Sequence, residues 1–152
     1  VPNKRVALPI QLDPKGKQLS SVVFSVDFDE TWLDFDDSDG NNDGVPDAIS
    51  LNLPAGYVAA ASYDAQDKDG EIDIVVYYPG PAATSLPAGT LLTVQLTAGQ
   101  PQSNFVAEVK SSLDPNASFG SVTGASVPGI MFDGSAWILT NGSLFFIPVT
   151  AR

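Results

Sequence analysis

The chain contains no cysteine and no histidine. Their absence removes disulfide staples, thiolate and imidazole nucleophiles, the commonest general base, and the ligands that favour zinc or copper. The redox compartment is left open, because a chain without cysteine is compatible with any. Basic residues are scarce as well: seven Lys and Arg stand against eighteen Asp and Glu, a net charge of −11. Such a surplus argues against duplex nucleic acid and anionic membrane surfaces as partners. No apolar run approaches the roughly 20 residues that span a bilayer. No long stretch carries helical periodicity, so helices that could cover a parallel sheet are not expected. An enzyme would have to work with paired carboxylates alone, and the acids crowd instead into one loop. The chain is therefore read as non-catalytic.

At 152 residues the chain suffices for one domain with a real core and is short for two. It starts at Val1 with no initiator Met and no apolar leader, which suggests a module of a longer secreted polypeptide. Thirteen Gly and twelve Pro punctuate short apolar runs. Val6, Leu8, Ile10 and Leu12 alternate with polar or small residues, the period-2 signature of a strand with one buried face. Pro9 marks that strand as an edge or an interrupted one. Val22, Phe24, Val26 and Phe28 face one way, with Val23, Ser25 and Asp27 facing the other. Glu30-Thr-Trp-Leu reads as one helical turn. Alternation resumes at Ile49 to Leu53, Tyr57 to Tyr63, Ile72 to Tyr78, Leu92 to Leu96, Phe105 to Val109 and Ile130 to Thr140. Residues 111–129 are polar and Gly/Ser-rich, mostly loop with one short strand. About nine strands without helices imply a sandwich of two antiparallel sheets. The domain is expected over residues 1–142, with 143–152 a last strand or a linker.

The stretch Asp36-Asp-Ser-Asp-Gly-Asn-Asn-Asp-Gly-Val-Pro-Asp carries the strongest local signal. From Gln18 to Gln66 there is no Lys or Arg, so a cation is the simplest counter-charge. Asp39, Asn41 and Asp43 alternate and Gly44 follows, as in the first half of an EF-hand-type loop. Val45 would then offer its backbone carbonyl, and Asp47 would ligate directly or through water. Ser50 stands where the bidentate Glu would close the site, so waters or a nearby carboxylate, Asp36, Asp37 or Asp34, would complete it. Hard oxygen donors in a flexible loop suit Ca2+ better than Mg2+. The plain alternative is a solvated Asp/Asn/Gly turn. A calcium loop of this kind would be filled mainly outside the cell, which points to an extracellular setting.

Phe24-Ser-Val-Asp-Phe-Asp followed by Glu30-Thr-Trp-Leu-Asp-Phe is similar to an early segment of the cohesin family, the scaffold modules that capture dockerins. Glu71-Ile-Asp-Ile-Val-Val-Tyr-Tyr is similar to the strand before the long cohesin loop. Leu86-Pro-Ala-Gly-Thr-Leu-Leu-Thr-Val-Gln-Leu and Phe132-Asp-Gly-Ser-Ala-Trp-Ile resemble two later strands. The resemblance spans roughly residues 4 to 140. It implies a nine-strand jelly-roll sandwich and a non-catalytic function of binding a dockerin-containing protein. It also implies a partner face that, transferred by position, includes Ser21, Val23, Ser25, Val75 and Tyr77. The acidic loop is not part of the common cohesin pattern and looks more like a dockerin or thrombospondin-type calcium loop. Two other readings remain on the same architecture: a carbohydrate-binding module, which would want coplanar exposed rings, and a structural spacer.

Overall fold

Short alternating runs of branched and polar residues make every regular element among the described residues a strand. The structure, a computed structural model, describes residues 4–65, 70–99, 105–112, 116–138, 144–147 and 149–151. In chain order the strands are β1 (Lys4–Leu12), β2 (Leu19–Phe28), β3 (Leu33–Phe35), β4 (Ile49–Leu51), β5 (Val58–Tyr63), β6 (Glu71–Tyr77) and β7 (Gly89–Ala98). They continue with β8 (Phe105–Ser111), β9 (Ser118–Ser121), β10 (Ser126–Val127), β11 (Met131–Phe132), β12 (Gly134–Ile138), β13 (Leu144–Ile147) and β14 (Val149–Ala151).

Two sheets result. The smaller runs β11-β14-β1-β7, with β3 and β4 both on the far side of β7. In the larger, β2 is central: β6 and then β5 lie on one side, while β9 and β8 share the other. Beyond them come β10, and β12 with β13. All pairs are antiparallel except β1 with β14. The all-β sandwich expected from alternation is present, and the described residues form fourteen strand segments where about nine were expected. The excess lies in short pieces. The Ile130 to Thr140 run divides into β11 and β12, which belong to different sheets. Residues 111–129 supply β9 and β10, and the C-terminal segment supplies β13 and β14. Short strands of this kind form where a chain changes sheets at a sandwich corner.

Local chemistry explains the joints. Trp32 and Leu33 N–H groups both donate to the Asp29 carbonyl at 3.1 and 2.9 Å, and the Asp29 carboxylate accepts from Thr31 N–H at 3.0 Å. That is the single turn foreseen after β2. Pro9 lies opposite Thr93 of β7, and among the described residues β14 pairs with β1 from Ile10 onward, so no described strand pairs with Pro9 on that flank, where a missing N–H is tolerated.

The core is the space between the inner faces. Val6, Leu8, Ile10 and Leu12 of β1 and Leu92, Val94 and Leu96 of β7 line one side. Val22, Phe24, Val26 and Phe28 of β2 and Ile72, Ile74 and Val76 of β6 line the other, all essentially excluded from water. Each such side chain contributes about 1.5–3 kcal/mol by burial. The loop after β6 is fastened to this body by Leu86, which is buried and whose N–H donates to the Leu19 carbonyl at 2.7 Å. Tyr57 O–H donates to the Thr84 carbonyl, and its ring meets Tyr78 edge-on at 5.4 Å.

Candidate functional site

Inner positions take up the large apolar residues, so any function falls to the outer faces and loops. On the larger sheet, register sets three outward rows across β5, β6 and β2: Val58, Tyr77 and Ser21; Ala60, Val75 and Val23; Ser62, Asp73 and Ser25. The first two rows form an apolar plateau. Tyr77 is 42 % exposed and Val58 38 %, while Val23 and Val75 are half-buried by their neighbours. The plateau ends at β9, where Gly120 pairs with Ser21. A Cβ on Gly120 would collide with Ser21 Oγ, so glycine lets β9 lie close against the face.

Four of the five residues transferred from the resemblance, Ser21, Val23, Val75 and Tyr77, are thus gathered in adjacent positions. Ser25 departs from the expectation of a presented side chain. It is 1 % exposed, and its Oγ donates to the Asp73 carboxylate. The reason is its neighbours: alternation sets Ser25 outward, but Asp73 beside it and Ser112, whose N–H binds the Ser25 carbonyl at 3.1 Å, close over the position. Sequence reasoning left Val58 and Ala60 out of this surface. Their outward direction follows from the alternation of Tyr57, Ala59, Ala61 and Tyr63, but the pairing of β5 with β6 does not.

Further along the same face the character becomes acidic. Asp27 lies between Glu71 on β6 and Lys110 on β8, and Lys110 Nζ meets the Glu108 carboxylate at 2.6 Å. Partial burial raises the Asp27 carboxyl above its ordinary range; Lys110 opposes this, and Asp133, Asp29 and Glu30 add to it. The Glu108 carboxylate, first by its bond and then by its charge, raises the Lys110 ammonium.

The acidic loop lies beside the opposite edge of β5. Asp39 accepts from the N–H groups of Asp43 at 3.3 Å and Gly44 at 2.9 Å. Asn41 Oδ1 accepts from Asp43 N–H at 3.0 Å, and Asp43 Oδ1 accepts from Val45 N–H at 2.9 Å. Asp47 Oδ2 takes Gly40 N–H at 3.1 Å, and Asp47 N–H reaches the Ser38 carbonyl at 2.7 Å, which closes the base of the loop. Gly44, at φ +85°, turns the chain where glycine alone is relaxed. Val45 and Pro46 then enter the core. Asp37 stays exposed beside Asp34 and Asp36.

Among the described residues no three acidic side chains converge closely enough to hold an ion. Of the donors foreseen for Ca2+, the side-chain oxygens of Asp39, Asn41, Asp43 and Asp47 accept from backbone amides of the loop, and Asp43 accepts from Asn41 Nδ2 as well. The loop also has a cationic neighbour that lies far off in sequence: Arg5 of β1 borders a hollow with Asp36 and Asp47. Bonds from Ser38 to the Asp36 carboxylate, and secondarily the Arg5 charge, hold Asp36 below its ordinary range.

Tyr63 closes the corner between the loop and β2. Its ring stacks on Phe28 at 6.1 Å and meets Phe35 edge-on at 5.3 Å, and its O–H donates to Glu30 at 2.9 Å. Burial first, then the bond and charge of Glu30 and the charges of Asp34 and Asp37, push its phenol up to about 12.

This architecture, two packed sheets with an apolar plateau on one outer face, places the chain among all-β sandwiches of cohesin-like fold. It is similar in structure to the sixth cohesin of Acetivibrio cellulolyticus scaffoldin B, solved in complex with a double mutant of the Cel5 dockerin. The TM-score is 0.53 at 20 % identity, over 83 % of this chain and 82 % of that one. No family model matches the sequence, and no curated protein matches it.

Proposed function

We propose that the chain is a non-catalytic binding module that captures a dockerin-containing protein on the outer face of β5, β6 and β2. The observation that carries this reading is the plateau of Val58, Ala60, Val75, Val23 and Tyr77, an apolar patch rimmed by Ser21, Ser62 and Asp73 on an otherwise acidic molecule. Apolar patches with polar rims are what protein partners cover. The cohesin-like fold supports the identity of the partner, since the similar scaffoldin module was crystallised with a dockerin. A sugar-binding face is less well supported: Tyr57 is buried and Tyr63 and Tyr78 are half-buried, which leaves Tyr77 as the one exposed ring among the described side chains of the plateau strands and their flanks. An extracellular setting goes with this reading, because a calcium loop of this kind fills mainly outside the cell.

The acidic loop is read as a structural Ca2+ site using Asp39, Asn41, Asp43, Asp47, the Val45 carbonyl and, from outside the register, Asp37. Its all-oxygen donor set supports this, and a carboxylate oxygen that accepts one N–H keeps a lone pair for a cation. An ion bound only by the folded loop stabilises the fold by mass action. Melting in millimolar Ca2+ should therefore occur several degrees above melting in chelator, and coincident curves would count against the site.

The function is tested by titrating purified dockerin modules into this chain in a calorimeter. Saturable one-to-one binding by at least one module is expected, weakened about thirtyfold or more in Val75→Lys. A heat-silent response from a broad dockerin panel would overturn the reading.

A further inference from the structure

A hydrogen bond joins the acidic loop to β5, the outer strand of the plateau. In an antiparallel pair, successive residues turn their backbone groups toward and away from the partner. On β5 the groups of Ala61 point away from β6, and its N–H donates to the Gly44 carbonyl at the loop apex, at 3.0 Å. The apex is in turn held by Asp39, whose two carboxylate oxygens accept Asp43 and Gly44 N–H. A continuous chain thus runs from Asp39 through Gly44 to Ala61, one residue from Ala60 on the plateau.

β5 has need of such a restraint. It is the outermost strand on its side of the sheet, and none of its six residues is fully buried. Two of its three inward side chains, Ala59 and Ala61, offer a single methyl each, and Tyr63 at the end is the only large one. A strand with few apolar contacts belongs to the low-stability part of a fold. Yet Val58 and Ala60 form the outer column of the plateau.

We propose that Asp39 is a positioning residue for the docking face: by holding the loop apex it fixes β5, and with it the outer column of the apolar plateau. The effect on partner affinity rests on the dockerin reading; the effect on β5 does not. The arrangement makes the loop a lever on the face without touching the partner.

Amide hydrogen exchange followed by NMR, with chelator present so that no ion contributes, tests this directly. Asp39→Ala should speed exchange at Ala60, Ala61 and Ser62 about tenfold while the amides of β1 and β7 keep their rates. Gly44→Ala, strained at φ +85° with open space around its new methyl, should act in the same direction. Asp39→Asn keeps one oxygen acceptor, enough for Gly44 N–H, and gives up the bond to Asp43 N–H, so it should restore part of the protection. A dockerin module that binds the parent chain should bind Asp39→Ala about threefold to tenfold more weakly. Unchanged β5 exchange in both Asp39→Ala and Gly44→Ala overturns the inference, as does faster exchange with unaltered affinity. If no module binds the parent chain, the dockerin reading falls, and the exchange rates still decide whether Asp39 fixes β5.

Discussion

The two sheets are built alike on the inside and differently on the outside. Inward, both present Val, Ile, Leu and Phe at every second position. Outward, the smaller sheet sets Arg5, Ala7 and Pro9 against Thr97, Gln95 and Thr93, with Ser50 beyond. The larger sheet at the corresponding place sets Val58, Ala60, Tyr77, Val75 and Val23. A solvated face of an antiparallel sheet is ordinarily polar, and the smaller sheet obeys. The larger one exchanges polar for apolar surface over three strands, which costs solubility and has no use in the core. The inner pattern accounts for folding, and the outer difference is what the proposed docking face rests on.

If that division holds, inner residues of either sheet should be equivalent. Phe24→Ala on β2 and Leu8→Ala on β1 each empty a buried site and should each lower unfolding free energy by about 3–5 and 2–5 kcal/mol respectively. Chemical denaturation reads both. A loss under about 1 kcal/mol at either site would mean that one inner face is not part of the core.

Outer residues should separate the sheets. Val75→Lys on the larger sheet and Gln95→Lys on the smaller are both half-buried strand positions and should leave stability within about 1 kcal/mol. Val75→Lys should weaken capture of a dockerin module by about 2 kcal/mol or more, because it sets a charge at the centre of a desolvated patch. Gln95→Lys should leave binding unchanged. Equal losses from both would move the docking surface off the plateau.

The frame of this molecule was legible because its signals are local. Alternation in Val22 to Phe28 and Ile72 to Val76 fixes strand and facing together, since one face is buried. What escaped depends on which segments meet. Ser25 reads as outward and is outward, but only its register with Asp73 reveals that it is covered. The absence of Lys and Arg between Gln18 and Gln66 suggested that a cation must come from solution. Arg5, brought alongside by β1 through β7, supplies part of that charge from outside the interval. Likewise the loop motif could be read residue by residue, whereas its bond to Ala61 could not, because nothing in the sequence of either segment names the other.

The corner where the sheets meet allows the smallest of these tests. Tyr63 belongs to the larger sheet and packs on Phe28 of that sheet and Phe35 of the smaller one. Its phenol is pushed up to about 12 by burial and by Glu30, whereas a free tyrosine ionises near 10. The folded chain therefore keeps a proton that the unfolded chain loses between those values. Stability from this group is complete below about pH 10 and declines as pH rises through about 12. Tyr63→Phe preserves the ring contacts and removes the ionisation along with the bond to Glu30, a loss of about 0.5–1.5 kcal/mol at neutral pH. Thermal melts across the alkaline range should show the parent chain falling toward the variant as pH passes from about 10 to 12, with Tyr57, whose phenol is also raised, common to both. Parallel profiles would mean that Tyr63 is as well solvated as in the unfolded chain, and that the corner between the sheets is open to water.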